Sequence, residues 1–326
     1  MLNKNEIISL IRYIRDNQIY CSYFIPNINE KYEGIGDNQC KEILKKYETI
    51  DTFIEEVKKD YPQYSYMFEI KEDELPVLLR DNGYMIGKYA NREKASSFFG
   101  REAEIIKLKI IFAKKVKNNV LLIGEPGVGK TRLIEEYARN EKINNIFAIE
   151  CAKLIGNCEY RGSFEQKVVD LLDFSKKYKL ILFLDEIHSL INLGKSTGGM
   201  AITDILKPYL LNPEYQFIGA TTPKEANYFV EDEAFKRRFS IIRLQEPSFE
   251  TLKGIKTNFE KAVIGREVFD DKYINYVLYI LCERLPNLFF PDKLIDFLDY
   301  LYACRNVLKV DKNIEEALEE YISDQC

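Results

Sequence analysis

The sequence predicts an α/β protein built on a five-stranded parallel sheet covered by helices, with a mostly helical region before it and a small helical domain after it. Three observations predict this. Unbroken apolar runs such as Leu180-Ile181-Leu182-Phe183-Leu184 suit strands buried on both faces. Between about residues 98 and 247 such runs alternate with helical patterns. A glycine-rich loop, Gly124 to Thr131, joins the first of those runs to a helical pattern.

Taken in order, residues 1–97 read as short amphipathic helices. Ile7, Leu10, Ile11 and Ile14 fall at helical spacing, as do Ile43, Leu44 and Tyr47, then Phe53, Ile54 and Val57. Asn27, Asn29, Gly34, Gly36 and Asp37 mark one intervening turn, and Asp60-Tyr61-Pro62 marks another. An ordered helical accessory domain that binds a client or partner is expected here. Residues 98–247 carry five strand candidates: Asn119 to Ile123, Ile146 to Cys151, Leu180 to Leu184, Phe217 to Ala220 and Ser240 to Leu244. Pro247-Ser248 ends the alternation. Residues 248–326 are helical throughout, with Leu252, Ile255 and Phe259 on one stripe. Leu294, Ile295, Leu298 and Leu301 lie on another, in a helix opened by Pro291.

Composition narrows the function classes. A chain of 326 residues that is 46% hydrophobic can bury a sizeable core, which excludes wholesale disorder. Its net charge of -5 gives no general attraction to nucleic acid or anionic lipid. Seven cysteines without a C-x-x-C pair and a single histidine leave little for a zinc site, and suit reduced thiols. No apolar run approaches a membrane span, and Met1-Leu2-Asn3-Lys4-Asn5-Glu6 lacks a signal-peptide core. A soluble, cytoplasmic protein is expected.

Gly124-Glu125-Pro126-Gly127-Val128-Gly129-Lys130-Thr131 satisfies G-x-x-x-x-G-K-[ST] between a strand and a helix. The glycines let backbone N–H groups turn in on phosphates, and the helix N-terminus adds positive potential. Lys130 then meets the β- and γ-phosphates, and the Thr131 hydroxyl ligates Mg²⁺. The strand Leu180 to Leu184 runs into Asp185-Glu186, an acidic pair at the carboxyl edge of a buried strand. Asp185 is suited to hold Mg²⁺, and Glu186 to polarise an attacking water as general base. A bare turn and an acidic strand cap are the bland alternatives, and finding both motifs in one chain argues against them. His188 reads as structural or surface.

These motifs resemble the AAA+ ATPases, and within them the first ATPase module of the Clp protein unfoldases, from about Phe98 to the end. Phe99-Gly100-Arg101-Glu102 resembles the segment beside adenine. Gly124 to Thr131 and Leu182 to Glu186 resemble the two Walker motifs, and Phe217 to Thr222 resembles the sensor-1 strand. Phe235-Lys236-Arg237-Arg238-Phe239 resembles the arginine-finger segment, and Pro291-Asp292-Lys293 the lid position where relatives often carry a sensor-2 arginine. The resemblance implies ATP held by Phe99, Gly100, Glu125, Pro126, Gly127, Val128, Gly129, Lys130, Thr131, Arg132 and Lys293, with Mg²⁺ on Thr131 and Asp185. It implies catalysis by Glu186 and Thr222, and by Arg237 and Arg238 supplied to a neighbouring subunit in a homo-oligomeric, six-membered ring.

Gly156 to Gly162 resembles the pore loop of Clp ATPases, with Tyr160 as the residue that grips an extended polypeptide, and Leu193 to Gly199 resembles the second pore loop. Glu159 departs from the family, where a basic residue is usual. No second ATPase module and no protease-docking tripeptide are recognisable, so a single-module relative is expected. The leading expectation is an Mg²⁺-dependent ring ATPase that unfolds, threads or disassembles proteins. A nucleotide-controlled assembly switch is the alternative. A DNA-directed ATPase is weaker, because the compact basic cluster Lys114-Lys115-Val116-Lys117 in the ATPase part fits a helix end.

Overall fold

The computed structural model describes residues 2–17, 33–61, 77–86, 98–141, 143, 145–150, 153–154, 161–189, 208–209, 212, 214–231, 233–308 and 313–325. In chain order they hold α1 (Lys4–Asp16), α2 (Asp37–Leu44), α3 (Ile50–Asp60), α4 (Val77–Asn82), β1 (Gly83–Met85), α5 (Glu102–Phe112) and β2 (Asn119–Ile123). Then come α6 (Lys130–Asn140), β3 (Ile146–Ile149), α7 (Arg161–Tyr178), β4 (Ile181–Leu184), β5 (Gln216–Thr221), α8 (Pro223–Glu231), α9 (Glu233–Arg238) and β6 (Phe239–Arg243). Four longer helices end the chain: α10 (Phe249–Phe259), α11 (Ile274–Arg284), α12 (Asp292–Leu308) and α13 (Ile314–Gln325).

All five strand candidates form strands, with ends moved by one or two residues. The sheet nevertheless has six strands, in the order β1-β3-β4-β5-β2-β6, and is not wholly parallel as expected: β1 runs antiparallel to β3, pairing Gly83 with Ile149 and Met85 with Phe147. The sequence hid β1 because three residues directly after a helix are too few to show a period of two. A strand thus stands inside the stretch expected to be helical. The chain divides into two compact units, Met1–Lys88 with Lys142–Leu182, and Tyr89–Glu141 with Phe183–Cys326. This division differs from the sequence boundaries at 97 and 247.

In the first unit, the three amphipathic patterns share one core. Ile7, Leu10, Ile11 and Ile14 of α1 are fully buried against Cys40 and Leu44 of α2 and Phe53, Ile54 and Val57 of α3. Helix α1 starts on a reciprocal cap, in which Asn3 Oδ1 accepts from the Glu6 N–H at 2.9 Å and Glu6 Oε2 accepts from the Asn3 N–H at 2.8 Å. Two of the helix's otherwise orphaned donors are thereby satisfied. Tyr47 lies past the end of α2 and still packs on this core.

In the second unit, β2 is central and every residue of it is buried. It pairs in parallel with β5, Ile123 opposite Thr221, and with β6, Asn119 opposite Phe239 and Ile123 opposite Arg243. The four terminal helices close a separate apolar core around Leu252, Val277, Leu281, Leu294, Leu298 and Leu301. Among the described residues no helix is long and apolar enough to cross a membrane.

Candidate nucleotide site

Strand β2 delivers the chain to a loop whose backbone only glycine adopts readily. Gly127 has φ 74° and Gly129 φ 93°, in the left-handed region that an L side chain rarely occupies. Gly129 is the N-cap of α6, so the first turn of that helix opens on the loop. Val128 is buried, which anchors the loop between its two left-handed glycines.

Lys130, the first residue of α6, turns its Nζ back over the loop and donates to Gly124 O at 2.9 Å and Glu125 O at 3.0 Å. Burial pushes its pKa down, while Asp185, Glu125, Glu186 and Glu225 act in the opposite sense. Four carboxylates therefore favour the charged form of this one lysine. A triphosphate arriving here would take up the Lys130 donors now spent on loop carbonyls.

Asp185, at the end of β4, meets the loop directly: Thr131 Oγ1 donates to Asp185 Oδ2 at 2.6 Å, across 54 residues of sequence. A hydroxyl and a carboxylate at this distance form a hard-oxygen donor set of the kind that suits Mg²⁺. Asp185 Oδ1 accepts from the Glu186 N–H at 3.0 Å. Glu186 is exposed and has φ 50°. A non-glycine residue in that region is strained, and such strain concentrates at functional sites. The following turn is closed by the Ser189 N–H to Glu186 O at 2.8 Å.

Thr222 follows β5 and its hydroxyl donates to Glu225 Oε2 in a short hydrogen bond. The same Glu225 oxygen lies 3.4 Å from His188 Nδ1, which is also 3.2 Å from Thr221 Oγ1. Sequence reasoning missed Glu225. Its available signal was Thr222-x-x-Glu225 ahead of a helical run, a capping box with proline at the first helical position.

Phe99 and Gly100 stand against α10 of the lid. The Phe99 ring lies on Gly254, where a Cβ would fall 2.3 Å from Phe99 Cε1, and Phe99 remains 42% exposed. Neighbouring Arg101, which the sequence reading left without a role, donates to Val128 O at 3.3 Å and Gln245 O at 2.7 Å. Arg132 is held by Glu135 at 2.9 Å.

Lys293 is not brought to the loop. Its Nζ donates to Leu285 O at 3.1 Å and sits 4.3 Å from the centre of the Phe290 ring, within the lid. Asp292 faces the loop instead, and a Cβ on Gly127 would fall 2.7 Å from Asp292 Cβ. One residue turns a helix by about 100°, so adjacent positions cannot share a target.

Arg237 and Arg238 end α9 immediately before β6. The Arg237 side chain is 79% exposed, with its Nε 3.7 Å from Glu233 Oε2. Because Phe239 pairs with Asn119 at the start of β2 while the loop leaves after Ile123, the arginines lie at the opposite end of the strands, about 13 Å away along β2. Tyr160 and both expected pore loops fall outside the described residues, apart from the helical backbone of Arg161 and Gly162.

Residues 120–245 match the family described as "ATPase family associated with various cellular activities (AAA)". The chain carries an AAA+ ATPase module of the Clp family. It is 36% identical over 273 residues to the chaperone protein ClpB of Aquifex aeolicus, covering 78% of this chain and 26% of ClpB. To the ATP-dependent Clp protease ATP-binding subunit ClpE of Bacillus subtilis it is 36% identical over 263 residues, covering 76% of this chain and 37% of ClpE. Among solved structures it resembles Hsp104 with ATPγS and FITC-casein (TM-score 0.64, 29% identity, 76% of this chain and 45% of that one). It also resembles the Saccharomyces cerevisiae Hsp104–ADP complex (TM-score 0.62, 30% identity, 76% and 45%). The chain thus spans about a quarter to a third of the length of these curated relatives.

Proposed function

We propose that the protein hydrolyses ATP with Mg²⁺ in a ring of about six copies, and uses the reaction to unfold, thread or disassemble other proteins. The observation that carries the ATPase part is the 2.6 Å bond from Thr131 to Asp185, which joins the phosphate loop to the strand end that also presents Glu186. Thr131 and Asp185 would hold Mg²⁺ there, and the ion would supply positive charge to offset that of the phosphates. The chain's own residues do the rest. Loop N–H groups and Lys130 hold the phosphates, Glu186 takes a proton from the attacking water, and Thr222, its own proton donated to Glu225, orients that water by accepting a hydrogen bond from it.

The ring part is supported by the placement of the arginines. An exposed guanidinium at the far end of β6 from its own phosphate loop has no route to that loop's nucleotide, but it is free to enter a neighbour's site. Protein clients are supported by the relatives, chaperones by name, and by Hsp104 solved with casein. Tyr160 is the residue we assign to grip a client, with residues 1–97 recruiting it. No finding favours a threading-free switch or a DNA-directed ATPase.

A mixing experiment tests the site and the ring together. Glu186→Gln is expected to retain ATP and lose turnover, and Arg237→Ala to lose turnover with ATP affinity largely kept. Mixed, they should regain activity, because some interfaces then join an intact Glu186 to an intact arginine. Full turnover by a protein that light scattering shows to be monomeric in saturating ATP would refute the trans arginine.

A further inference from the structure

We infer that Glu225 is a positioning residue for ATP hydrolysis, holding the Thr222 hydroxyl and the His188 ring in one arrangement beside the turn that presents Glu186. One carboxylate oxygen, Oε2, makes both contacts, accepting the Thr222 hydroxyl proton and lying 3.4 Å from His188 Nδ1. A carboxylate only accepts, so this contact is attractive when His188 Nδ1 carries a proton. Thr221 Oγ1, 3.2 Å from the same nitrogen, completes the seat. His188 rides in the turn closed by the Ser189 N–H to Glu186 O bond, so fixing its ring fixes the turn on which Glu186 is held at φ 50°. The cluster therefore ties the end of β5 to the end of β4, the two strand ends that present Thr222 and Glu186.

A capping box alone accounts for a glutamate three residues after the threonine, but not for the histidine. In that motif the threonine oxygen accepts a backbone N–H and the glutamate accepts another. Here the threonine hydroxyl is a donor to the glutamate side chain, which also faces a ring from a different strand end. Glu225 is also near enough to Lys130 to favour its charged form, which places its carboxylate within the field of the site.

The inference rests on the assignment of Glu186 and Thr222 above, and the test separates the two. Nucleotide binding depends on the loop and Lys130, so Glu225→Ala should leave ATP affinity within about threefold, read by fluorescent-nucleotide titration. Its kcat should fall about 10- to 100-fold, the range expected when catalytic groups are displaced by around an ångström. Glu225→Gln keeps a carbonyl oxygen for both contacts and should recover kcat to within about threefold of the parent. His188→Ala should be slow as well, and the double variant His188→Ala/Glu225→Ala should be no slower than Glu225→Ala, since residues acting as one unit are not additive. Should Glu225→Ala fail to fold, Glu225→Met removes the acceptors while keeping length and helix preference. Parental turnover in the Ala or Met variant overturns the inference. So do a loss confined to KM, a glutamine variant as slow as alanine, and additive losses. Thr222→Val decides what else falls. If it is fully active, the Thr222 assignment fails and this inference with it; if it is slow while Glu225→Ala is not, only this inference fails.

Discussion

Replacing Lys256 should destabilise the lid by an amount the structure allows to be worked out. Its side chain is 1% exposed, with Nζ 3.0 Å from Glu260 Oε2, 2.7 Å from Asp271 Oδ1 and 4.7 Å from the centre of the Phe269 ring. The partners differ in exposure: the Glu260 side chain is 7% exposed and that of Asp271 73%. Lys256→Met fills similar space but leaves a carboxylate buried without its cation, for which about 3–5 kcal/mol is usual. Asp271 returns to water at little cost. Glu260 keeps one bond, Oε1 accepting from the Val268 N–H at 2.8 Å, so the lower end of the range, about 3 kcal/mol, applies. At about 2–4 °C per kcal/mol for a unit of this size, Tm should fall by roughly 6–12 °C by calorimetry. Glu260→Gln in that background removes the stranded charge and keeps the bond to Val268, so most of the loss should return. A single variant that melts within about 2 °C of the parent, or a double variant that loses further stability, would refute the account of a buried, coupled pair.

Two further outcomes follow from the phosphate loop and its neighbour. Lys130→Ala removes a charge-assisted contact worth about 1.5–3 kcal/mol, so ATP affinity measured by titration should fall about 10- to 150-fold, and unchanged affinity would contradict the phosphate role. Asp292 has its pKa raised above the ordinary 3.8, by burial first and Asp296 second. Its ionised form is therefore disfavoured in the folded state, and the stability linked to its protonation is lost as pH rises through the folded value. Asp292→Asn should thus raise Tm at pH 7, with the gain shrinking as pH falls toward 4, and a lower Tm at pH 7 would contradict this.

The parts of the molecule that were legible in sequence are those whose chemistry is local. A phosphate loop must be contiguous, because its glycines and N–H groups surround one group, and a strand buried on both faces is apolar without interruption. Gly124 to Thr131 and Leu180 to Glu186 were readable for those reasons. Glu225 acts through two partners that lie close in space but not in sequence, and its spacing to Thr222 reads as an ordinary cap. Asp292 and Lys293 show a different limit. A motif fixes which residues begin a helix, but the phase of that helix decides which of two neighbours meets the loop, and phase is set by packing. Strand β1 was illegible because it is defined by its partner and not by a pattern of its own.

The arrangement also explains how a change at the phosphates can reach the lid. Lys130 now bonds two carbonyls of the loop, and phosphate would draw it off both. That exchange occurs in the loop whose Gly127 backs onto Asp292 at the start of α12. The loop is further tied through Val128 O to Arg101, which reaches on to Gln245 O just before α10. Next to it, Glu246 Oε1 accepts the Phe290 N–H at 2.5 Å, fixing the segment that leads into α12. A shift of the loop by a fraction of an ångström therefore meets the lid at two places, directly at the start of α12 and, through Arg101, at the segment that leads into α10. A well-packed lid core transmits such a displacement as a rigid body, since close-packed interiors do not absorb strain by compression. Among the described residues, no hydrogen bond or ion pair of this kind joins the arginines at the other end of β6 to the loop. A nucleotide held by the loop thus has a mechanical path to the lid within one chain, whereas in the ring we propose its path to Arg237 and Arg238 runs through a neighbour.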